Sequence, residues 1–200
     1  MGTESSTTRE RLVTAMHELM RRQGYAATSV KQVTVTAAAT TGSLYHFFPE
    51  GKPALAAAAL RESGAAYIQL LPLLLDPHQD LVEAVASAFD AAADQIEAAD
   101  WINMCPVGTV AGEVGDTDPG LRAVAAEVVA GWVDSATDYF AARGLEASAA
   151  RSFSLAVLST LEGAFILSRT LRSTEPLRAA GRTLAASTPA TASSGRRRPP

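Results

Sequence analysis

Helix start signals recur along almost the whole chain, and that punctuation constrains the fold more than any other feature. Thr7 and Glu10 stand at capping-box spacing ahead of Leu12, Met16, Leu19 and Met20, which share one helical face, and Gly24 closes the segment. Ser29 and Gln32 repeat the spacing at a second start, with Val30 and Val33 directed inward. Thr40 opens a third segment through Leu44 to Phe47, and Pro49 stops it because the residue before a proline avoids helical geometry. Lys52-Pro53 then opens an Ala/Leu helix to about Leu71, proline being tolerated in a first turn. Asp76-Pro77 starts a long helix ending near Asp100, and Cys105-Pro106 a short one broken by Gly112 and Gly115. Asp118-Pro119 opens a segment ending at Gly144, Ala147 to Leu171 is another, and Thr174-Glu175-Pro176 starts a last helix to about Ala186. No strand, internal repeat or heptad pattern stands out. The chain reads as all-α.

Several function classes drop out at once. Among 200 residues there is 1 Cys, Cys105, which excludes a disulfide framework within one chain and any multi-cysteine zinc or iron–sulfur site. The 3 His residues, His17, His46 and His78, show no metal-ligand spacing, so no metal and no cofactor are expected. Met1–Thr8 lacks the charged-then-apolar pattern of a secretory signal. The greasiest run, Ser152 to Ser168, is shorter than the ~20 residues of a membrane span and contains Glu162. The expectation is a cytoplasmic protein with no membrane partner. Paired carboxylates in a catalytic motif and a Gly-rich phosphate loop are also missing, so an enzyme is not expected. An α-helical enzyme or redox sensor built on Cys105 is the alternative, because that thiol sits just before a helix start.

The net charge of −4 hides an asymmetry. Residues 1–53 carry 6 basic and 4 acidic groups, whereas residues 54–187 carry 8 basic and 17 acidic ones. A mildly basic end on an acidic body suits a chain that touches a polyanion with that end. Beyond it, Ser187–Pro200 is Ser/Thr/Ala/Pro with Arg196, Arg197 and Arg198, and reads as a disordered tail. The organisation expected is therefore 1–53, 54–187 and a tail over 188–200.

The short–turn–short arrangement at Ser29–Phe47 is the most informative segment. Two such short helices are marginal alone and must pack on a third, for which the amphipathic Thr7–Arg22 segment is available. Three small helices, the last carrying Thr40, Thr41, Gly42, Ser43, Tyr45 and His46, make a helix-turn-helix unit. Hydroxyls, backbone N–H groups at a helix start and Lys52 at the next start are groups that phosphates bind, with Gly42 allowing close approach. The same spacing also fits a plain three-helix packing unit.

Thr8-Arg9-Glu10-Arg11, Gly24-Tyr25-Ala26-Ala27-Thr28-Ser29-Val30 and Gly42-Ser43-Leu44-Tyr45-His46-Phe47-Phe48-Pro49 together resemble TetR-type transcriptional regulators over residues 8 to about 60. Pro49-Glu50-Gly51-Lys52 and Cys105-Pro106-Val107-Gly108 are similar to the LmrA/YxaF-type subgroup. The resemblance implies a bacterial homodimer with an N-terminal DNA-binding domain over 1–53. Residues 54–187 would then form a helical domain that dimerises and binds a small-molecule inducer. Double-stranded operator DNA is the implied partner, and the nucleoid its place when bound. On that resemblance Thr28 and Ser29 would hold backbone phosphate, and Thr40, Thr41, Gly42 and Ser43 would face the major groove. Tyr45 and His46 would contact backbone or base edges, and Lys52 would anchor a flanking phosphate, while Leu44 and Phe48 fill the core. Two departures stand out. The family's Gly-Val between the short helices is here Ala38-Ala39, and its frequent cation before Gly42 is Thr41. The first leaves open a scaffold that has lost DNA binding.

In the body, Phe153, Val157, Leu161 and Phe165 form one face of a helix whose other sides carry Leu155, Leu158, Ile166 and Leu167. A helix apolar nearly all round is buried on more than one side. The resemblance supplies the second neighbour as the same helix of a partner chain, with Leu155, Leu158, Glu162 and Ile166 at the contact. Glu162 would meet a polar ligand group or pair with an arginine such as Arg169. Phe89, Trp101, Met104, Cys105, Trp132, Tyr139 and Phe165 hold most of the body's large polarizable side chains, and line an apolar pocket or form ordinary core.

Overall fold

The computed structural model describes residues 7–102 and 105–189, and builds them as ten α-helices with no strand among the described residues. In order these are α1 (Thr8–Gln23), α2 (Val30–Thr36), α3 (Thr41–Phe47), α4 (Lys52–Ile68), α5 (Leu70–Leu75), α6 (Leu81–Ala98), α7 (Pro106–Val114), α8 (Pro119–Ala142), α9 (Ala147–Leu171) and α10 (Glu175–Ala186). Both expected capping boxes form, Thr7 with Glu10 and Ser29 with Gln32, and Thr40 caps α3 by accepting the Ser43 N–H. The tail beyond Pro189 lies outside the described residues.

Three boundaries differ from the sequence reading. The helix expected to reach Leu71 stops at Ile68, because Pro72 has no N–H to donate to the Ile68 carbonyl, and a separate α5 follows. The start expected at Asp76-Pro77 moves to Asp80, whose Oδ1 accepts the Glu83 N–H at 3.0 Å. Arg143 decides that turn: its guanidinium donates to the carbonyls of Leu75 (3.4 Å), His78 (2.7 Å) and Gln79 (3.2 Å). Gly112, expected as a breaker, is carried inside α7.

The described chain divides into two compact units. The first takes the residues up to Tyr67 together with Ile102–Ala130; the second takes Ile68–Trp101 and the residues from Gly131 on. In the first, Leu12, Met16 and Met20 of α1, Leu44 of α3, Leu55 and Leu60 of α4 and Val107 and Val110 of α7 are fully buried side chains. Each contributes about 1.5–3 kcal/mol. Gly64 lets α4 and α8 approach, since a Cβ there would collide with Val128, and Arg61 pairs with Glu127 beside it at 2.9 Å. This unit includes α7 as well as α1–α3.

The core of the second unit is built on Phe89, Ile96, Phe140, Phe153 and Leu177. Phe140 and Phe153 meet edge to face, centroids 5.0 Å apart. α10 comes close to α6 at Gly181, where a Cβ would lie 2.5 Å from that of Phe89. Arg178 flanks this contact with ion pairs to Asp90 (3.1 Å) and Asp94 (2.6 Å) of α6. α9 turns Ala150, Phe153, Ser154, Ala164 and Ser168 inward. At 25 residues α9 is longer than the apolar run read from sequence and, by length and composition alone, would reach across a membrane. It also carries Arg151, Glu162 and Arg169, and its inward face is part of this packed core.

Candidate nucleic-acid interface

The α2–α3 pair presents short, exposed groups because its apolar residues are spent inward. Val33, Ala37, Leu44 and Phe48 are all buried, as the sequence requires of the last two. Thr40, Thr41, Gly42, Tyr45 and His46 are exposed and Ser43 is half-buried. The Thr40 hydroxyl accepts the Ser43 N–H at 3.0 Å and pairs with the Ser43 hydroxyl at 2.9 Å, fixing the start of α3. Gly42 has no internal reason to be glycine. A Cβ there would meet only Thr40 Oγ1, at an ordinary 3.7 Å, so the missing side chain leaves the outer surface flush. Tyr45 stays half exposed (50%), with its ring edge 3.1 Å from where a Cβ on Gly51 would stand.

The turn between the two helices is a Schellman arrangement with alanine where glycine is usual. Ala39 N–H donates to the Thr34 carbonyl at 2.9 Å and Ala38 N–H to Val35 at 3.1 Å, which puts Ala38 at φ +47°. Arg11 reinforces it, its Nε donating to the Ala37 carbonyl at 3.0 Å. The departure noted in the sequence is thus built with the backbone that glycine would take, at a strain of roughly 1–2 kcal/mol.

Two sequence-assigned residues have hydrogen-bond partners within the chain. Thr28 is buried (1% exposed) and its hydroxyl donates to the Gly24 carbonyl at 2.7 Å. It closes the connection after α1. Ser29 is exposed, but its hydroxyl donates to Gln32 Oε1 at 2.8 Å within the capping box. The Lys52 ammonium rests 4.0 Å from the Tyr25 ring centroid; burial pushes its pKa down and the nearby Glu113 charge pushes it back up. Burial, followed by the Asp118 charge, raises the Tyr25 phenol.

Sequence reasoning missed two features here. Lys31 and Val35 are exposed at i, i+4 spacing on the outer face of α2, Val35 at 72%. The inward direction of Val30 and Val33 was the signal that could have placed them. Glu113 of α7 reaches back to the connection between α1 and α2, accepting the Ala26 N–H at 2.8 Å, and a Cβ at Gly24 would strike the same carboxylate. A contact spanning 87 residues leaves no local signal.

Four of the seven residues considered for a ligand, Phe89, Trp101, Tyr139 and Phe165, belong to one cluster of the second unit. Phe89 is tightly packed core (2% exposed), and Trp101, Tyr139 and Phe165 pack half-buried against the same cluster. The Tyr139 hydroxyl donates to Asp76 Oδ1 at 2.7 Å and accepts from Arg143 at 2.8 Å, with its pKa raised chiefly by burial and that carboxylate. Trp132 is buried in the second unit outside that cluster. Cys105 is buried in the first unit, where its Sγ accepts the Gly108 N–H at 3.4 Å and caps α7. Met104 lies outside the described residues. Of the α9 residues assigned to a dimer contact, Leu155 (46%) and Ile166 (54%) are exposed and Leu158 and Glu162 half-buried, with Leu167 (54%) and Leu171 (64%) exposed beside them. Among the described residues, α9 is therefore covered on one side only.

Comparisons with known proteins agree with this architecture. Residues 12–59 match the family of bacterial regulatory proteins, tetR family, and residues 82–183 match the C-terminal domain of LmrA/YxaF-like transcriptional regulators. The HTH-type transcriptional regulator YxaF of Bacillus subtilis is 31% identical over 88% of this chain and 92% of its own length. The HTH-type transcriptional regulator LmrA of the same organism is 28% identical over 84% and 90%. Among solved structures, a regulatory protein TetR from Rhodobacter sphaeroides superposes with a TM-score of 0.77 at 21% identity, covering 90% of this chain and 98% of that one. With α1–α3 as its helix-turn-helix unit and a C-terminal domain of the LmrA/YxaF-like kind, this chain belongs to the TetR family of transcriptional regulators.

Proposed function

We propose that the protein is a homodimeric, ligand-responsive repressor that binds a near-palindromic operator and is released by a small apolar or aromatic inducer. Residues 1–53 carry the DNA contacts and residues 54–187 the inducer and dimer contacts. The protein works in the cytoplasm and joins the nucleoid when bound. The observation that carries the DNA reading is Gly42, a glycine with no internal packing or backbone demand on the exposed start of α3. Its companions are Thr40, Thr41, Ser43, Tyr45 and His46. The exposed apolar side of α9 supplies the self-complementary surface for a second copy. Two recognition helices related by a two-fold axis then enter grooves about one helical turn, roughly 34–36 Å, apart. Release follows from linkage: an inducer that binds better to a body conformation in which the two helices no longer match the grooves lowers DNA affinity, and operator lowers inducer affinity by the same factor.

Gly42→Ala separates this reading from a packing unit that has lost DNA binding. In a helix the change favours folding by about 0.5–1 kcal/mol. A Cβ between α3 and a closely approaching duplex lowers operator affinity. Mobility shifts on a genomically selected fragment and a thermal melt are the two measurements. The melt is expected to rise and the affinity to fall at least tenfold. Unchanged affinity, or equal binding to scrambled DNA at moderate salt, defeats the reading.

A further inference from the structure

The exposed face of α3 is short of the side chains that read base edges by paired hydrogen bonds. Thr41–Phe47 contains no Arg, Lys, Asn, Gln, Asp or Glu. Those are the groups that grip guanine, adenine or cytosine in the major groove. Of the nearby hydroxyls, Thr40 and Ser43 are committed to each other and to the helix start. Gln32 on α2 spends its Oε1 on the Ser29 N–H and hydroxyl, each at 2.8 Å. What the start of α3 and the turn before it do expose is methyl surface: Thr41 beside the flush Gly42, Ala38 in the turn, and Val35, 72% exposed, one hydrogen bond away from Ala38, with the exposed Lys31 one helical turn before Val35 on α2. Thr41 and Tyr45 stand four residues apart, so the methyl and the half-exposed ring share one side of α3. An aliphatic group in the major groove has one favourable base partner, the C5-methyl of thymine.

We propose that this chain reads its operator through thymine methyl groups, with Thr41 making the principal contact and Val35 flanking it. This rests on the operator-binding reading above and specifies its chemistry. Recognition is by dry methyl-to-methyl packing beside Gly42, and the half-sites carry thymine at the positions facing the start of α3. Discrimination against cytosine comes from the missing methyl.

The test uses the full-length protein and labelled duplexes of its selected operator, with uracil replacing thymine one position at a time. Uracil keeps every Watson–Crick and groove hydrogen-bonding group and removes only the methyl. Each contacted position is expected to lose about fourfold in affinity, the worth of one buried methyl-sized group. The salt dependence should stay the same because the phosphate contacts are untouched. Thr41→Ser keeps the hydroxyl and is expected to lose the same factor on the thymine operator but nothing on the duplex with uracil at the partnered position. Uracil substitution without effect throughout, half-sites lacking thymine, or a Thr41→Ser loss that persists on the uracil duplex each overturns the inference while leaving operator binding intact. A chain that selects no preferred site overturns both.

Discussion

Ala38 gives the sharpest quantitative test of how the α2–α3 turn is built. The residue sits at φ +47° at the left-handed position of a Schellman turn, held by the Ala39 and Ala38 N–H bonds and by Arg11 on the Ala37 carbonyl. The same arrangement ends α8, where the Leu145 N–H reaches the Phe140 carbonyl at 3.1 Å and the left-handed residue is Gly144, φ +98°. The chain thus contains one turn with alanine and one with glycine. Ala38→Gly removes a left-handed penalty of roughly 1–2 kcal/mol. It returns about 0.5–1 kcal/mol through the greater freedom of glycine in the unfolded chain. The net gain is about 0.5–1 kcal/mol, and Gly144→Ala should lose a similar amount. Because the two residues belong to different compact units, local amide exchange is the suitable readout. Protection at Ala39 and Leu44 is expected to rise about two- to fivefold in Ala38→Gly, with the unit containing Gly144 unaffected. Unchanged or lowered protection would refute the reasoning, since it would mean that residue 38 is not held at positive φ in solution.

Glu113→Ala leaves the Ala26 N–H without its carboxylate and is expected to loosen the α1–α2 connection by about 1 kcal/mol, seen as faster amide exchange at Ala26. Exchange at the wild-type rate would show that α7 does not hold that connection. Ile166→Asp, on a side chain already 54% exposed, should leave the fold intact and give monomers by sedimentation; a persisting dimer moves the interface off α9. His17 has its pKa lowered by burial and then by Arg21, with Glu18 opposing, and its Nε2 is buried without a hydrogen-bond partner. The unfolded chain therefore takes up that proton first, and stability is lost as pH falls below the ordinary value of 6.5. Replacing it by His17→Phe should flatten denaturant midpoints between pH ~7 and ~5; an unchanged acid-side slope would place the responsible group elsewhere.

Local chemistry by itself settled most of the helices and several of their ends. Capping boxes at Thr7–Glu10 and Ser29–Gln32, the Thr40 cap and the long segment Ala147–Leu171 all form where their side-chain spacing puts them, because caps act over three or four residues. The inward choice of Leu44 and Phe48 was legible for the same reason, and with it the short, polar outer surface of α3. Where a helix end or a side chain answers to distant groups, local spacing gave the wrong answer or none. Arg143 gathers carbonyls from 64 to 68 residues away and so moves the start of α6 to Asp80. Thr28 reads as a surface hydroxyl until the chain reversal after α1 brings the Gly24 carbonyl over it. Glu113 becomes a clamp, and Gly24 and Gly64 become necessary, only once α7 and α8 lie against helices from the other end of the first unit. The aromatic residues of the body show the same limit. Composition marks them as large and polarizable, but only packing decides that Phe89 is pinned against Gly181 while the Tyr139 hydroxyl is spent on Asp76. Hydrogen bonds and van der Waals contacts fall off within a few ångströms, so their partners are set by which segments meet in space, and sequence spacing carries that information only within a helical turn or two.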